Sequence, residues 1–68
     1  MADNRVLPAK ACAILTLMSN GYGVRGCAIE LGMSESAIKF HLKHIYPALG
    51  ANGIVQAVAT ALRRGLIV

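Results

Sequence analysis

The chain has 68 residues, of which 56% are hydrophobic and 15% are charged, and this composition excludes an intrinsically disordered protein. A single domain of this size buries only about 60% of its unfolded surface, so we expect marginal stability without a metal, a disulfide or a partner subunit. Seven Lys and Arg against three Asp and Glu give a formal net charge of +4, which favours a polyanionic partner, nucleic acid first.

Several other classes of protein do not fit the sequence. The longest apolar stretch, residues 11–18, is far shorter than the ~20 residues of a membrane span. No basic region followed by an apolar run opens the chain, so we expect a cytoplasmic protein without a signal peptide. Cys12 and Cys27 form no C-x-x-C pair, and they are interpreted as reduced core thiols rather than as ligands of a metal. The sequence offers no nucleophile–base pair and no paired carboxylates, so we expect neither an enzyme nor a cofactor.

Glycines divide the chain into four predicted helices, because they fall where a helix C-terminus favours a left-handed backbone. The first helix is predicted over residues 8–20, with Pro8 in its first turn, and the second over residues 24–31. The third is predicted over residues 35–46 with Ser34 as its N-cap, and the fourth from just after a cap at Asn52 to about residue 64. No run alternates polar with β-branched apolar residues, so strands are not expected.

The second and third predicted helices have the organisation of a helix-turn-helix. Ala28 supplies a small side chain where two helices would approach closely, and Gly32 opens the turn. Ile38 would then pack the third helix back onto the second. The predicted fold class is all-α, a four-helix bundle with a central helix-turn-helix.

From residue 7 to residue 67 the sequence resembles, without gaps, the LuxR/GerE-type (NarL/FixJ-like) family of helix-turn-helix DNA-binding domains. The resemblance rests on a set of glycines, apolar residues and recognition-helix residues: Leu15, Gly21, Ala28, Leu31-Gly32-Met33-Ser34, Ile38-Lys39, His41, Ile45, Leu49-Gly50, Ala57-Val58 and Gly65-Leu66-Ile67. It implies an N-terminal tail over residues 1–6 and a DNA-binding domain over residues 7–68. In this family the third helix enters the major groove and the fourth helix is the usual dimer contact.

The predicted DNA-binding surface centres on Lys39 and Lys43, which lie four residues apart and therefore share one face of the third helix. Two cations presented to a major groove can reach guanine O6 and N7 or a phosphate, and Phe40 beside them can touch a thymine methyl. The alternative for the lysines is a solvated helix face with no partner. The full candidate set, in which Arg25 matches a phosphate contact of the family, is Arg25, Ser34, Ser36, Lys39, Phe40, Lys43 and His44.

Departures from the family pattern weaken the predicted contacts with DNA. Gly26 lies inside a short helix, where glycine costs roughly 1 kcal/mol relative to alanine. Ala37 removes a hydroxyl, Ile54 stands where an arginine is frequent, and Pro47 is expected to end or kink the third helix near Tyr46. Because each lost phosphate contact lowers affinity, we expect one copy alone to bind DNA weakly.

An apolar stripe on the fourth helix supplies the predicted dimer interface, and its members are Ile54, Ala57, Val58, Ala61 and Leu62. The small side chains of Ala57 and Ala61 would let two copies of the helix approach closely. A two-fold dimer would then read two half-sites in the DNA. The alternative is that the stripe belongs wholly to the intramolecular core.

The preferred hypothesis is a stand-alone transcriptional regulator that binds double-stranded DNA as a homodimer. A stand-alone chain is expected because 68 residues leave no room for a receiver or a ligand-sensing domain. The alternative is a protein-interaction module of the same fold, with weak or no DNA binding, that modulates a larger regulator or RNA polymerase. The residues do not determine the target sequence, nor whether the protein activates or represses.

Overall fold

The computed structural model describes residues 7–68, and the predicted tail over residues 1–6 lies outside the described residues. Four α-helices follow one another along the chain: α1 (Ala9–Ser19), α2 (Val24–Leu31), α3 (Glu35–Leu49) and α4 (Ile54–Arg63). No strand occurs between residues 7 and 68, and the predicted all-α fold with a central helix-turn-helix is confirmed. The bounds of α2 agree with the prediction.

Helix α1 begins one residue later than predicted. Pro8 has φ −59° and ψ 158°, so it is the N-cap of the helix and not a member of its first turn. Its carbonyl oxygen accepts the backbone N–H of Cys12 at 3.1 Å, which is the first hydrogen bond of the helix. Ala11, Ile14 and Leu15 are buried on one face of α1, as the spacing of apolar residues predicts.

The turn between α2 and α3 is built by local hydrogen bonds. Gly32 adopts φ +66°, a left-handed conformation that glycine reaches without a steric cost. The backbone N–H of Met33 donates to the carbonyl oxygen of Ala28 at 2.9 Å and closes the end of α2. The hydroxyl of Ser34 accepts the backbone N–H of Ala37 at 3.0 Å, which confirms Ser34 as the N-cap of α3.

Helix α3 continues through Pro47 to Leu49, so the predicted end of the helix at residue 46 is wrong. A proline removes the hydrogen bond from its own nitrogen and its ring crowds the carbonyl group four residues earlier, but at Pro47, in the last turn of the helix, neither effect prevents the two helical residues that follow. Ile45 and Leu49 are both buried and anchor the final turn to the core. Gly50 then terminates the helix at φ +64°, while the next backbone N–H, from residue 51, donates to the carbonyl oxygen of Tyr46 at 2.8 Å.

The N-cap of α4 is Gly53 rather than Asn52, which corrects the prediction. The side chain of Asn52 does not cap the helix. Instead, its backbone N–H donates to Oε1 of Gln56 at 2.7 Å, so the glutamine reaches back across the first turn. A side-chain amide oxygen in the first turn can accept a backbone N–H that lies before the helix. This is the reverse of the usual cap, in which a side chain at the cap position accepts an N–H within the first turn.

The core lies where α1, α3 and α4 pack together and where α2 packs against α3. Its largest fully buried side chains are Ile14, Leu15, Cys27 and Ile38. Because Ile38 and Leu42 face this core, the opposite side of α3 faces outward. No single helix within residues 7–68 is long and apolar enough to cross a membrane, and the one pair with the combined length and composition, α3 with α4, is bent by 57°.

Candidate nucleic-acid interface

The outward side of α3 carries polar, cationic and aromatic side chains that the fold does not use for its core. All five predicted DNA-binding residues on this helix are exposed: Ser36, Lys39, Phe40, Lys43 and His44. We call this set the α3 outer face. Its separation from the buried residues Ile38, Leu42 and Ile45 follows from the 3.6-residue period of the helix.

Lys39 and Lys43 lie one helical turn apart on the α3 outer face and are both exposed. The acidic residue of α3, Glu35, lies in the first turn, where the helix dipole favours a negative charge. The cations therefore occupy the middle of the helix and the carboxylate its N-terminal end. This arrangement concentrates positive charge at the middle of α3.

Phe40 makes two aromatic contacts on this surface. Its ring centroid lies 4.7 Å from that of His44 at an interplanar angle of 64°, an edge-to-face arrangement. A second edge contact, with centroids 6.0 Å apart at 79°, joins Phe40 to His41. His41 is half-buried. The Phe40 side chain nevertheless remains 60% exposed, so its contacts orient the ring without covering it.

The remaining predicted DNA contacts lie outside the middle of α3. Arg25 is exposed in the first turn of α2, whose N-cap Gly23 provides no side-chain hydrogen bond. Ser34 is exposed at the start of α3, and its oxygen already accepts the N–H of Ala37. The hydroxyl hydrogen of Ser34 is left to donate elsewhere, because accepting one hydrogen bond does not use it.

Gly26 has a structural role that reasoning from the sequence missed. A Cβ atom built on Gly26 would lie 2.9 Å from Cδ2 of Tyr22, closer than carbon atoms approach without a clash. The glycine therefore lets the Tyr22 ring lie against the start of α2. The signal in the sequence that could have indicated this contact is the spacing of four residues between the tyrosine and the glycine, because residues four apart lie on one side of a helical turn.

The apolar stripe on α4 is divided between the core and the surface. Ala57 and Ala61 are 0% exposed, so in the fold described here these two side chains offer no surface to a second copy. Small side chains at these positions let α4 pack against α1 and α3, and their surfaces are used within the chain. Ile54 and Val58 are half-buried, while Leu62 is 47% exposed.

A shallow groove between α1 and α4 collects the exposed part of this stripe. It has a volume of about 380 Å³, and its lining residues are Met18, Ser19, Ile54, Val55, Val58, Ala59 and Leu62. Val55 is 81% exposed and was not among the predicted interface residues. We call this surface the α1–α4 groove. It lies on other helices than the α3 outer face.

The two cysteines differ in their access to solvent. Cys27 is fully buried, its Sγ lies 4.0 Å from the carbonyl oxygen of Ile14, and burial raises the pKa of its thiol. Cys12 is half-buried, and both cysteines are free. Residues 7–68 contain no group of three His, Cys, Asp or Glu side chains placed to hold a metal ion.

The sequence matches a known family model over most of its length. The model of the bacterial regulatory proteins of the luxR family, GerE, matches residues 5–61. The transcriptional regulatory protein YdfI of Bacillus subtilis (strain 168) is 34% identical over 61 residues, which cover 90% of this chain and 29% of that protein. The probable transcriptional regulatory protein NarL of Mycobacterium tuberculosis (strain ATCC 25618 / H37Rv) is 32% identical over 62 residues, which cover 91% of this chain and 29% of that protein.

Solved structures with the same arrangement of helices are also similar in sequence. The structure of the transcription factor GerE has a TM-score of 0.88 and 27% identity, and the match covers 93% of this chain and 94% of that one. The response regulator ChrA of a heme-sensing two-component system has a TM-score of 0.87 and 36% identity over 90% of this chain and 30% of that one. The chain thus spans less than a third of the length of YdfI, NarL and ChrA but nearly all of GerE.

Proposed function

Because the chain belongs to the luxR family of bacterial regulatory proteins, we propose that it binds double-stranded DNA through the α3 outer face and regulates transcription. The observation that carries the proposal is the exposure of Lys39 and Lys43 one turn apart, on a helix whose opposite side is buried. The luxR family is one of regulatory proteins, and the proposal assigns no catalytic step. The expected location of such a protein is the cytoplasm.

The dimensions and chemistry of α3 suit a major groove. The helix has 15 residues and is therefore about 22 Å long. With its side chains an α-helix is about 10–12 Å in diameter, and a B-DNA major groove about 12 Å wide admits it. Lys39 and Lys43 donate hydrogen bonds to guanine O6 and N7 or to a phosphate. Arg25, Ser34, Ser36 and His44 have donors for phosphate oxygens, which orient the domain on the duplex without reading its sequence.

A salt titration of DNA binding tests the proposal. The purified protein is first used to select a preferred duplex from a random library, and its affinity is then measured at several salt concentrations. Replacing both Lys39 and Lys43 by alanine is expected to lower affinity for the selected duplex at least about tenfold, since a single good base contact contributes about 1–3 kcal/mol. If the lysines bind phosphates instead, the slope of log affinity against log salt falls by about 0.9 for each.

The matched control removes the same charge from elsewhere on the surface. Lys10 on α1 and Arg64 after α4 are exposed, and replacing both by alanine leaves the α3 outer face intact. This control is expected to lower affinity much less than the Lys39 and Lys43 double variant. Circular dichroism checks that both variants keep their helical content. Equal losses in the two double variants would show that only net charge matters, and would remove the α3 outer face from the proposal.

We further propose that two copies pair through the α1–α4 groove and read two half-sites. The exposure of Leu62 and Val55 beside this groove supports the pairing, because apolar surface gains stability when it leaves water. Pairing also doubles the number of phosphate contacts, which compensates for the weak binding expected of one copy. Ile54 and Val58 also line the groove, and because both are half-buried they would extend the contact.

Sedimentation of a Leu62→Asp variant tests the dimer. The charge is expected to shift the protein to the monomer and to weaken binding to a two-half-site duplex, whereas Ile29→Asp, an equally drastic change at an exposed position on α2, keeps the dimer. An Ala61→Asp change does not test the interface, because it places a carboxylate in the core and unfolds the chain. An unchanged sedimentation coefficient for Leu62→Asp would exclude this surface.

A protein-interaction module is the second candidate function. Apolar side chains are exposed on α2 and α4 as well as on α3, and the prominent ones are Ile29, Val55 and Leu62. Such a module would bind a larger regulator or RNA polymerase through these side chains. The selection experiment separates the two functions. If no duplex is enriched or retained at any of the salt concentrations, the interaction module is favoured over DNA binding.

A further inference from the structure

Phe40 is unusual among the residues of the α3 outer face because it has no group that can form a hydrogen bond. It is also 60% exposed, although an aromatic ring of this size has much to gain from burial. Ser36 lies four residues before it, and Lys43 and His44 lie three and four residues after it. These are its neighbours along the helix surface, so the ring stands among polar groups at the middle of α3.

The chemistry of the major groove restricts what such a ring can contact. Base edges there present hydrogen-bond donors and acceptors, and a phenyl ring that covers one of them leaves it unpaired, which is unfavourable. The apolar group that the standard bases present in this groove is the C5 methyl of thymine. A ring held at the middle of a groove-binding helix therefore favours thymine and disfavours the bases that lack this methyl.

Two histidine rings lie against the ring of Phe40. The His44 ring lies edge-to-face against Phe40, and the His41 ring makes a longer edge contact with it. A side chain that is already oriented loses less conformational entropy when it binds. His44 therefore affects recognition through Phe40, in addition to any contact of its own with a phosphate.

We propose that Phe40 is a specificity-determining residue that selects a thymine methyl, and that His44 is a positioning residue that holds its ring. The inference rests on the proposed function, since it concerns the DNA that the α3 outer face binds. It adds to that function the chemical feature that is recognised, a pyrimidine C5 methyl. It also separates the apolar contact of Phe40 from the hydrogen bonds that Lys39 and Lys43 donate to guanine or to a phosphate.

The test replaces thymine by deoxyuridine, which keeps every hydrogen-bonding group and removes only the methyl. In the selected duplex each thymine is replaced in turn, and the affinity of the unaltered protein is measured. One position in each half-site is expected to show about a fourfold loss, the effect of removing one methyl-sized apolar contact. Replacement in both half-sites together is expected to give about a fifteenfold loss, the product of two such contacts.

Variants of Phe40 and His44 assign that loss to these residues. Phe40→Ala is expected to bind the thymine and deoxyuridine duplexes equally, while its salt dependence stays that of the unaltered protein. His44→Ala is expected to reduce the ratio of the two affinities, and His44→Phe, which restores an aromatic neighbour, is expected to recover it. Because both side chains are exposed, these changes leave the core intact, and circular dichroism checks it.

The outcomes distinguish this inference from the function on which it rests. Loss of all salt-dependent DNA binding would overturn the proposed function itself. Retained binding with equal affinity for every thymine and deoxyuridine pair would overturn only the role of Phe40. A ratio that persists in Phe40→Ala would assign the methyl contact to another residue, and an unchanged ratio in His44→Ala would remove the positioning role of His44.

Discussion

The contact between Gly26 and Tyr22 allows a quantitative test of the packing at the start of α2. In an ordinary helix interior, replacing glycine by alanine stabilises a protein by roughly 1 kcal/mol. At Gly26 the new Cβ would lie 2.9 Å from Cδ2, 3.5 Å from Cβ and 3.6 Å from Cγ of Tyr22. The last two distances are ordinary contacts, and the first requires the ring to move by more than about 0.5 Å.

The cost of that movement offsets the gain in helix propensity. A side chain pushed away from its preferred rotamer costs about 0.5–1.5 kcal/mol. Tyr22 is 41% exposed, so its ring can move toward solvent and the cost falls at the lower end of that range. We therefore expect Gly26→Ala to change the free energy of unfolding by no more than about 0.5 kcal/mol when Tyr22 is present, and to stabilise by roughly 1 kcal/mol in a Tyr22→Ala background.

Urea denaturation of the four proteins in this double-mutant cycle measures the coupling. The cycle comprises the unaltered chain, the two single variants and the double variant, and the expected coupling energy is about 0.5–1 kcal/mol. In a thermal scan, 1 kcal/mol corresponds to a shift of about 4–8 °C for a domain of this size. If Gly26→Ala stabilises both backgrounds equally, within about 0.3 kcal/mol, the Tyr22 ring does not restrict this position and the reasoning is refuted.

Three further predictions concern the ends of α3 and the two thiols. Ser34→Ala should lower the free energy of unfolding, measured in urea, by about 1 kcal/mol, because the N–H of Ala37 loses its acceptor. The control Ser36→Ala, in the first turn, should change the free energy of unfolding by less than about 0.5 kcal/mol, and equal effects would contradict the cap. Pro47→Ala should raise stability by about 2 kcal/mol, since the roughly 3 kcal/mol cost of a helical proline is reduced by about 0.4–1 kcal/mol through its effect on the unfolded chain. A lower melting temperature would argue against this. Thiol titration of the folded protein should modify Cys12 and leave Cys27 unreactive, because Cys27 is buried and its pKa is raised above the ordinary 9.0. The contribution of the neutral Cys27 thiol to stability is complete below that pH and declines above it, where the unfolded chain loses the proton first. Rapid modification of both thiols would contradict the burial.

The sequence by itself determined the features that depend on neighbouring residues. The bounds of α2, the left-handed Gly32 and the cap at Ser34 were all predictable, because each rests on hydrogen bonds and backbone preferences within a few residues. The separation of Lys39, Phe40 and Lys43 from the buried side of α3 was predictable for the same kind of reason, since the period of a helix assigns its two sides. The candidate DNA-binding surface on α3 is therefore readable from the sequence.

The tertiary structure decided the features in which a local preference competes with packing. Pro47 favours an end to α3, but the burial of Leu49 and Ile45 keeps its last turn helical. The alanines of α4 have the spacing of a dimer contact, yet the same small side chains suit the crossing with α1 and α3, and only the assembled core shows which use prevails.

Gly26 illustrates the same limit on a smaller scale. In the sequence, Gly26 is a residue that weakens a helix. In the folded chain, the Tyr22 ring occupies the space that a side chain at this position would need. Hydrogen bonds along the backbone are set by neighbours in the chain, whereas the space beside a residue depends on which side chains the fold brings there. For this protein, interactions between neighbours in the chain determined the helices and the α3 outer face. The side chains that the fold brings together decided how α3 ends and which part of α4 remains exposed.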